Sequence, residues 1–316
     1  DRLQIVKPFV VTGYLVSAVT KPLLAFNGAW QSIALLRGSE RMGKAIRSAT
    51  KDSLISAYSP KKSGKSFGFH KMMDAAGEMS GAIIAFGALY YLGKSPEVFK
   101  SIFLWTLLPG LLAVIVALFF VQDAPYKVKS KTQLDFSTDK KLMPILILFF
   151  IFTFFVFNES FFIIKAKESG IAITYIPLFI ILLYFVQSVS SYYFGTLIDK
   201  FSAYSVLLFS MVAGIVSMIL LYFNFVIASF ILLGLFSVSS LNAIRAYISN
   251  RAHNKGSLYG IFYAGVALFG ALGATVTGLI WKHYGEDGAI LFSLGGLLCV
   301  VILYLFVREP ENKGLA

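Results

Sequence analysis

The chain reads as an all-α membrane protein, and three observations predict it. Ten predominantly apolar stretches follow one another, each about as long as the roughly 20 residues a helix needs to cross a bilayer. Hydrophobic residues make up 57% of the 316, with 31 phenylalanines, more than a soluble domain of this length hides. Lysine and arginine crowd alternate connections between the stretches, as loops on opposite sides of a membrane do.

A spanning segment must satisfy its own backbone hydrogen bonds, so each stretch is predicted to be a helix. The spans lie near 5–26, 29–57, 66–92, 98–121, 142–164, 172–197, 203–222, 225–249, 257–282 and 287–307. The first follows Asp1 and Arg2; the second carries a basic stripe; the third holds His70, Asp74 and Glu78. A charged, Pro-containing segment from Gln122 to Lys141 follows the fourth, and the fifth contains Asn158 and Glu159. Ile176-Pro177 lies early in the sixth, Asp199-Lys200 precedes the seventh, and Arg245 sits late in the eighth. Gly and Ala from Gly260 to Gly278 mark close helix packing in the ninth, and the tenth holds Cys299.

Orientation follows from the short basic loops, which stay cytoplasmic. With both ends inside, that side holds 15 of the 28 Lys and Arg: Arg2, Lys7, Lys61, Lys62, Lys65, Lys127, Lys129, Lys131, Lys140, Lys141, Lys200, Arg251, Lys255, Arg308 and Lys313. The opposite side holds five: Lys94, Lys100, Lys165, Lys167 and Lys282. The net charge of +12 is therefore a topology signal, and its dispersal over separate loops and tails argues against nucleic-acid binding. Cys299 has no partner cysteine, and His70, His253 and His283 lack ligand spacing, so neither a disulfide framework nor a metal centre is expected. No nucleophile, base and orienter form a catalytic pattern, and the chain is not read as an enzyme. Gly38 to Ala45 nearly spells a phosphate-binding loop, but it ends in Ala where a hydroxyl should hold magnesium, and no strand precedes it. No cofactor is expected.

A repeat organises the chain. Asp1-Arg2 recurs as Asp199-Lys200, and Ala45-Ile46-Arg47 recurs as Ala243-Ile244-Arg245 at the same offset of 198 residues. Gly64-Lys65-Ser66 and Phe67-Gly68 are answered by Lys255-Gly256-Ser257 and Tyr259-Gly260 after a six-residue difference in loop length. An even number of spans separates the matching elements, so the halves share one orientation and are related by an axis along the membrane normal.

Phe67-Gly68-Phe69-His70-Lys71-Met72-Met73-Asp74 resembles the Phe-Gly-Phe-His-Arg-Ala-Met-Asp pattern that begins the fifth helix in bacterial members of the major facilitator superfamily. Arg37 with Gly43-Lys44-Ala45-Ile46-Arg47, Ile176-Pro177-Leu178, Gly195 to Lys200 and Lys255 to Gly260 are similar to that family too, over essentially the whole chain. The resemblance implies twelve helices in two six-helix bundles. The ten spans would then be helices 3 to 12, with two more preceding Asp1; a genuine ten-span chain is the alternative. On this reading, 1–121 is an N-terminal bundle, 122–141 a cytoplasmic linker and 142–316 a C-terminal bundle. Ala82 stands where the family commonly has Pro, and the family's acidic residue near Leu241 is missing, which puts shared coupling chemistry in doubt.

At 100° per residue, Arg37, Glu40, Arg41, Lys44, Arg47 and Lys51 occupy a sector of about 120° on the second span. A central Arg or Lys costs at least about 2.5 to 3.5 kcal/mol in lipid, so this stripe must line water, pair with acids or reach the interface. Over the second and third spans, the bases (Arg37, Arg41, Lys44, Arg47, Lys51, Lys71) outnumber the acids (Glu40, Asp52, Asp74, Glu78) by six to four, which favours an anionic cargo. The expected substrate contacts are Arg37, Arg41, Lys44, Arg47, His70, Asn158 and Arg245. Arg245, repeat-mate of Arg47, either faces it across a central cavity or snorkels to the cytoplasm. Glu40, Asp52, Asp74, Glu78 and Glu159 are candidate proton carriers, because burial favours the protonated carboxyl. Glu159 is alternatively a helix-packing residue.

Asp1 with Arg2 and Asp199 with Lys200 are expected to gate: the family architecture places Asp1 near the helix start at Ser257 and Asp199 near the one at Ser66, where the positive helix end attracts a carboxylate. The expected function is a monomeric secondary transporter in a bacterial inner membrane, probing each side in turn, with a small anionic substrate, protons and lipid as partners. A proton-coupled exporter of drugs or metabolites, or a non-transporting membrane scaffold or sensor, are the alternatives.

Overall fold

The computed structural model describes residues 5–26, 28–59, 62–123, 139–172 and 175–307. Their regular structure is entirely helical: α1 (Lys7–Leu23), α2 (Trp30–Tyr58), α3 (Ser63–Tyr91), α4 (Pro96–Trp105), α5 (Leu107–Phe120), α6 (Met143–Phe155), α7 (Glu159–Glu168), α8 (Ile176–Lys200), α9 (Ala203–Tyr222), α10 (Val226–Arg251) and α11 (Lys255–Phe306). α4 and α5 form one apolar segment, Pro96–Phe120, and α6 and α7 belong to another, Asp139–Glu168. Seven segments are long and apolar enough to cross a membrane. α2 and α3 are long enough too, but their charged faces set them apart from the apolar group.

The described residues thus make nine helical segments where ten spans were expected. The difference arises in α11, whose 52 residues run through both of the last two expected spans. Gly285 interrupts it with φ 76° and ψ −179°, a backbone geometry that lacks a helical hydrogen-bonding register and that a Cβ would strain.

The chain forms two compact units. One comprises Asp1–Tyr58, Ile83–Leu134 and Lys255–Tyr263. Within it α1 packs between α2 and α5. Val6, Val10 and Ala117 form a small buried core, with Tyr14, Leu54 and Val121 against it. Asp123 closes the start of α1 by accepting from the amides of Val6 and Lys7, both at 2.8 Å. Those amides have no partner inside the helix, so the carboxylate satisfies two orphan donors and complements the helix dipole.

The other unit comprises Ser59–Ala82, Asp135–Asn254 and Ala264–Ala316. α10 is its centre, packed on α8 and α9 and buried along most of its length. Phenylalanines fill the space between the other helices: Phe150 stacks on Phe269, and Phe152 meets Phe236 with ring centroids 5.5 Å apart. Many serines in this unit return their hydroxyl to a carbonyl one turn earlier, as Ser237 and Ser239 do, which satisfies a polar side chain within an apolar helix.

Candidate functional site

The basic stripe belongs to the first unit. Arg37, Arg41 and Lys44 are exposed on α2, while Arg47 and Lys51 are half-buried. Glu40 sits between two cations, accepting from Arg37 at 2.9 Å and meeting Lys21 of α1 at 3.7 Å. The Arg47 guanidinium lies 4.5 Å from the ring centroid of Tyr14 on α1, a cation–π contact between α2 and α1. One turn further on, Asp52 is fully buried and accepts a hydrogen bond from the Tyr263 hydroxyl at 2.5 Å.

The second unit gathers carboxylates. Lys71 is buried and bridges Glu78 at 3.1 Å and Asp74 at 3.6 Å, which lie on successive turns of α3. Tyr184 on α8 lies within electrostatic range of Glu159 on α7 and of Glu78 and Asp74 on α3. Glu159 opens α7 directly after the non-helical stretch that separates α6 from α7, at the positive end of a half-helix. Asn158, expected among the substrate contacts, is the N-cap of α7 and accepts from the Ser160 amide at 3.0 Å. His70 is half-buried on α3, and Arg245 is buried in α10.

α3 is fastened to α8 and α10 along a seam in that unit. Asp199 accepts from the Gly64 amide at 2.9 Å and the Lys65 amide at 2.8 Å, which closes the start of α3 with a carboxylate. Ser191 and Ser188 on α8 donate to the carbonyls of Gly68 and Met72 at 2.8 and 3.2 Å. Asn242 of α10 donates in turn to the Ser191 hydroxyl at 3.1 Å, and Ser63 meets Asn250 at 2.6 Å. Backbones touch here: a Cβ on Gly64 would stand 2.6 Å from the Gly195 carbonyl oxygen, and one on Gly68 2.7 Å from that of Ser191. Lys200 is exposed beside Phe201, 5.4 Å from its ring centroid.

Asp1 and Arg2 lie outside the described residues. A carboxylate does stand at the start of α11, and it is that of Asp139, which accepts from the amides of His253 and Asn254 at 2.8 and 3.0 Å. Nothing in the sequence around Asp139 distinguishes it from its charged neighbours. Three helix starts are thus held by aspartates 114 to 135 residues away in sequence, in pairs that only the tertiary fold creates.

The family model described as Major Facilitator Superfamily matches residues 1–180 and 145–316. The chain belongs to the Major Facilitator Superfamily. A curated relative from the family, an uncharacterised MFS-type transporter of Methanocaldococcus jannaschii, is 31% identical across 96% of this chain and 80% of its own length. Among solved structures, a bacterial homologue of the iron transporter ferroportin in an outward-facing state is similar at a TM-score of 0.66. It shares 15% identity and is matched over 96% of this chain and 83% of its own. The E. coli fucose:proton symporter FucP is similar at a TM-score of 0.67, with 12% identity over 96% of this chain and 84% of its own. At such identities the two structures bear on the fold alone. The superfamily's members are transporters rather than enzymes, so the absence of a catalytic pattern in the sequence agrees with the family.

Proposed function

We propose that this member of the superfamily is a proton-coupled secondary transporter of a small anionic solute, working by alternating access in a bacterial inner membrane as a monomer with both ends cytoplasmic. The observation that carries the reading is the α2 stripe, where four bases (Arg37, Arg41, Lys44, Arg47) accompany one acid (Glu40) between residues 37 and 47, three of them on an exposed face. A helix in that position needs water or an anion beside it, since its charges outnumber its own counter-charge. Arg41 and Lys44 are the contacts to bet on, with Arg37 held ready by Glu40 and Arg47 by Tyr14. His70 and Arg245 complete the substrate set on α3 and α10.

Asp74, Glu78 and Glu159 are the proton carriers in this reading, with Asp52 as a further candidate. Tyr184, which lies within electrostatic range of all three, supports grouping them. The α11 segment would be about 78 Å long at about 1.5 Å per residue, against a hydrocarbon core of about 30 Å. Read as two spans that meet at Gly285, it brings the count to ten, in halves 1–121 and 142–316 joined by 122–141.

Uptake by the complete protein in proteoliposomes, compared between an anionic and a cationic solute library with and without an inward proton gradient, tests the function. Gradient-driven anion uptake that Arg41→Ala abolishes supports it; uptake of cations alone overturns it.

A further inference from the structure

The seam between α3 and α8 carries a basic, aromatic rim on its exposed side. Asp199 brings the start of α3 and the end of α8 together, so Lys65 and Lys200 stand at the same end of the second unit, with exposed Lys62 just before α3. Exposed aromatic rings accompany each lysine. The Lys65 ammonium lies 5.4 Å from the ring centroid of Tyr192, which meets Phe69 edge to face at 6.5 Å. The Lys200 ammonium lies 5.4 Å from the centroid of the exposed Phe201 ring, and Tyr193 is exposed two turns earlier on α8.

This surface turns away from the acids of α3. At about 100° per residue, Lys65 and Phe69 stand about 140° or more around the helix from Asp74 and Glu78. On α8, Tyr192 and Tyr193 are exposed, while Ser191, which fastens α8 to α3 and α10, is buried. At about 1.5 Å per residue, Phe69 lies about 6 Å along α3 from Lys65, and Tyr193 about 10 Å along α8 from Lys200. The lysines therefore sit at the helix ends and these rings one to two turns deeper in the span. Rings and lysines in that order match the boundary of a bilayer, where the rings meet glycerol and upper acyl chains and the lysines meet headgroups. Asp199 stands at the same end, but both of its oxygens accept from α3 amides, so three lysines against one engaged acid leave the rim positive.

We propose that this rim binds one anionic phospholipid, its headgroup on Lys65 and Lys200 and its chains along Phe69, Tyr192 and Tyr193. An anionic headgroup suits it better than a zwitterionic one, which brings a cation of its own to the lysines. Because the two lysines belong to different helices, the lipid clamps α3 to α8 where Gly64 and Gly195 touch. The assignment stands whatever the cargo is.

The test offers the complete protein in detergent equal amounts of dioleoylphosphatidylglycerol and dioleoylphosphatidylcholine and counts the retained lipids by native mass spectrometry. The expected result is one phosphatidylglycerol kept in preference to phosphatidylcholine. A lysine near an anionic headgroup is worth roughly fivefold in affinity, so Lys65→Gln with Lys200→Gln should cut that retention at least about tenfold. Asp199 bonds the Lys65 amide rather than its side chain, so the start of α3 stays held in this variant. Lys94→Gln with Lys100→Gln, an equal change of charge at exposed positions of the first unit, should leave retention as it is. Phosphatidylglycerol should also raise the thermal midpoint of the parent and not that of the Lys65→Gln, Lys200→Gln protein, a shift that inorganic phosphate does not reproduce. Equal retention of the two lipids, retention that survives loss of Lys65 and Lys200, an equal loss in the Lys94, Lys100 variant, or the same shift with phosphate alone overturns the proposal.

Discussion

The Tyr263 hydroxyl donates to the fully buried carboxylate of Asp52 at 2.5 Å, joining residues 211 apart in sequence. A carboxylate in that position is sustained by the donors around it, and Tyr263 is one of them. Tyr263→Phe deletes the donor and leaves the ring. The expected outcome is a loss of about 1 to 3 kcal/mol, read as a lower thermal midpoint in detergent. Tyr263→Phe combined with Asp52→Asn should recover much of it, because the neutral amide tolerates the missing donor better. Equal melting of Tyr263→Phe and parent would show that the bond contributes nothing.

Asp199 holds the first turn of α3 through two charge-assisted hydrogen bonds. Asp199→Asn keeps the shape but loses the charge, with an expected cost of about 0.5 to 2 kcal/mol. In the proposed gating role the same change raises labelling of a cysteine placed at Ser66 by a water-soluble thiol reagent from the cytoplasmic side. Unchanged labelling would remove Asp199 from the gate and leave it a cap.

Gly195 lets α8 touch α3 backbone to backbone, since a Cβ there would collide with the Gly64 carbonyl oxygen. A backbone atom cannot swing aside as a side chain can. Gly195→Ala should therefore part the helices and weaken the Ser191 to Gly68 bond, costing about 1 to 3 kcal/mol. Thermal unfolding measures it, and a neutral result would mean that the seam is already loose in solution.

Lys71 answers two carboxylates, but Asp74 and Glu78 keep about a third or more of their side-chain surface in contact with the exterior, so solvent weakens both pairs. Lys71→Met is expected to cost about 1 kcal/mol in stability, and more in function if the carboxylates carry protons. A slower proton-driven transport rate in Lys71→Met is the predicted signature of the proposed role, since Asp74 and Glu78 lose the cation that positions them. An unchanged rate would place proton transfer elsewhere.

Most helices were legible because each needs only a local signal, an apolar run of bilayer length. Pro96–Phe120 and Asp139–Glu168 contain breaks at Thr106 and at Val156–Asn158 that the composition conceals, since apolar residues stand on both sides of each break. At Gly285 the reverse holds: the charged stretch from Lys282 to Asp287 reads as a loop, yet helical structure runs on at either side. The basic stripe on α2 was visible from its periodicity. Its partners were only half visible: Glu40 lies on the same face, whereas Lys21 and Tyr14 come from α1 through packing that no spacing rule encodes. Asp199 was found because it repeats Asp1 and helix starts attract acids; Asp139 and Asp123 repeat nothing. Asn158 was visible as a polar residue in an apolar span, whereas its place as the cap that begins α7 was not.

The sign of the cargo decides whether the α2 stripe has the proposed substrate-binding role. The most direct measurement is solute-induced proton flux into proteoliposomes of the complete protein, followed with an internal pH-sensitive dye as anions and cations are added in turn, for the parent and for Arg41→Ala with Lys44→Ala. Addition of a small anion is expected to acidify the vesicle interior, an effect reduced at least about tenfold by the double substitution, about 1.4 kcal/mol or more of lost recognition. Proton flux evoked by cations alone, or anion-evoked flux that survives the loss of both bases, would contradict that role.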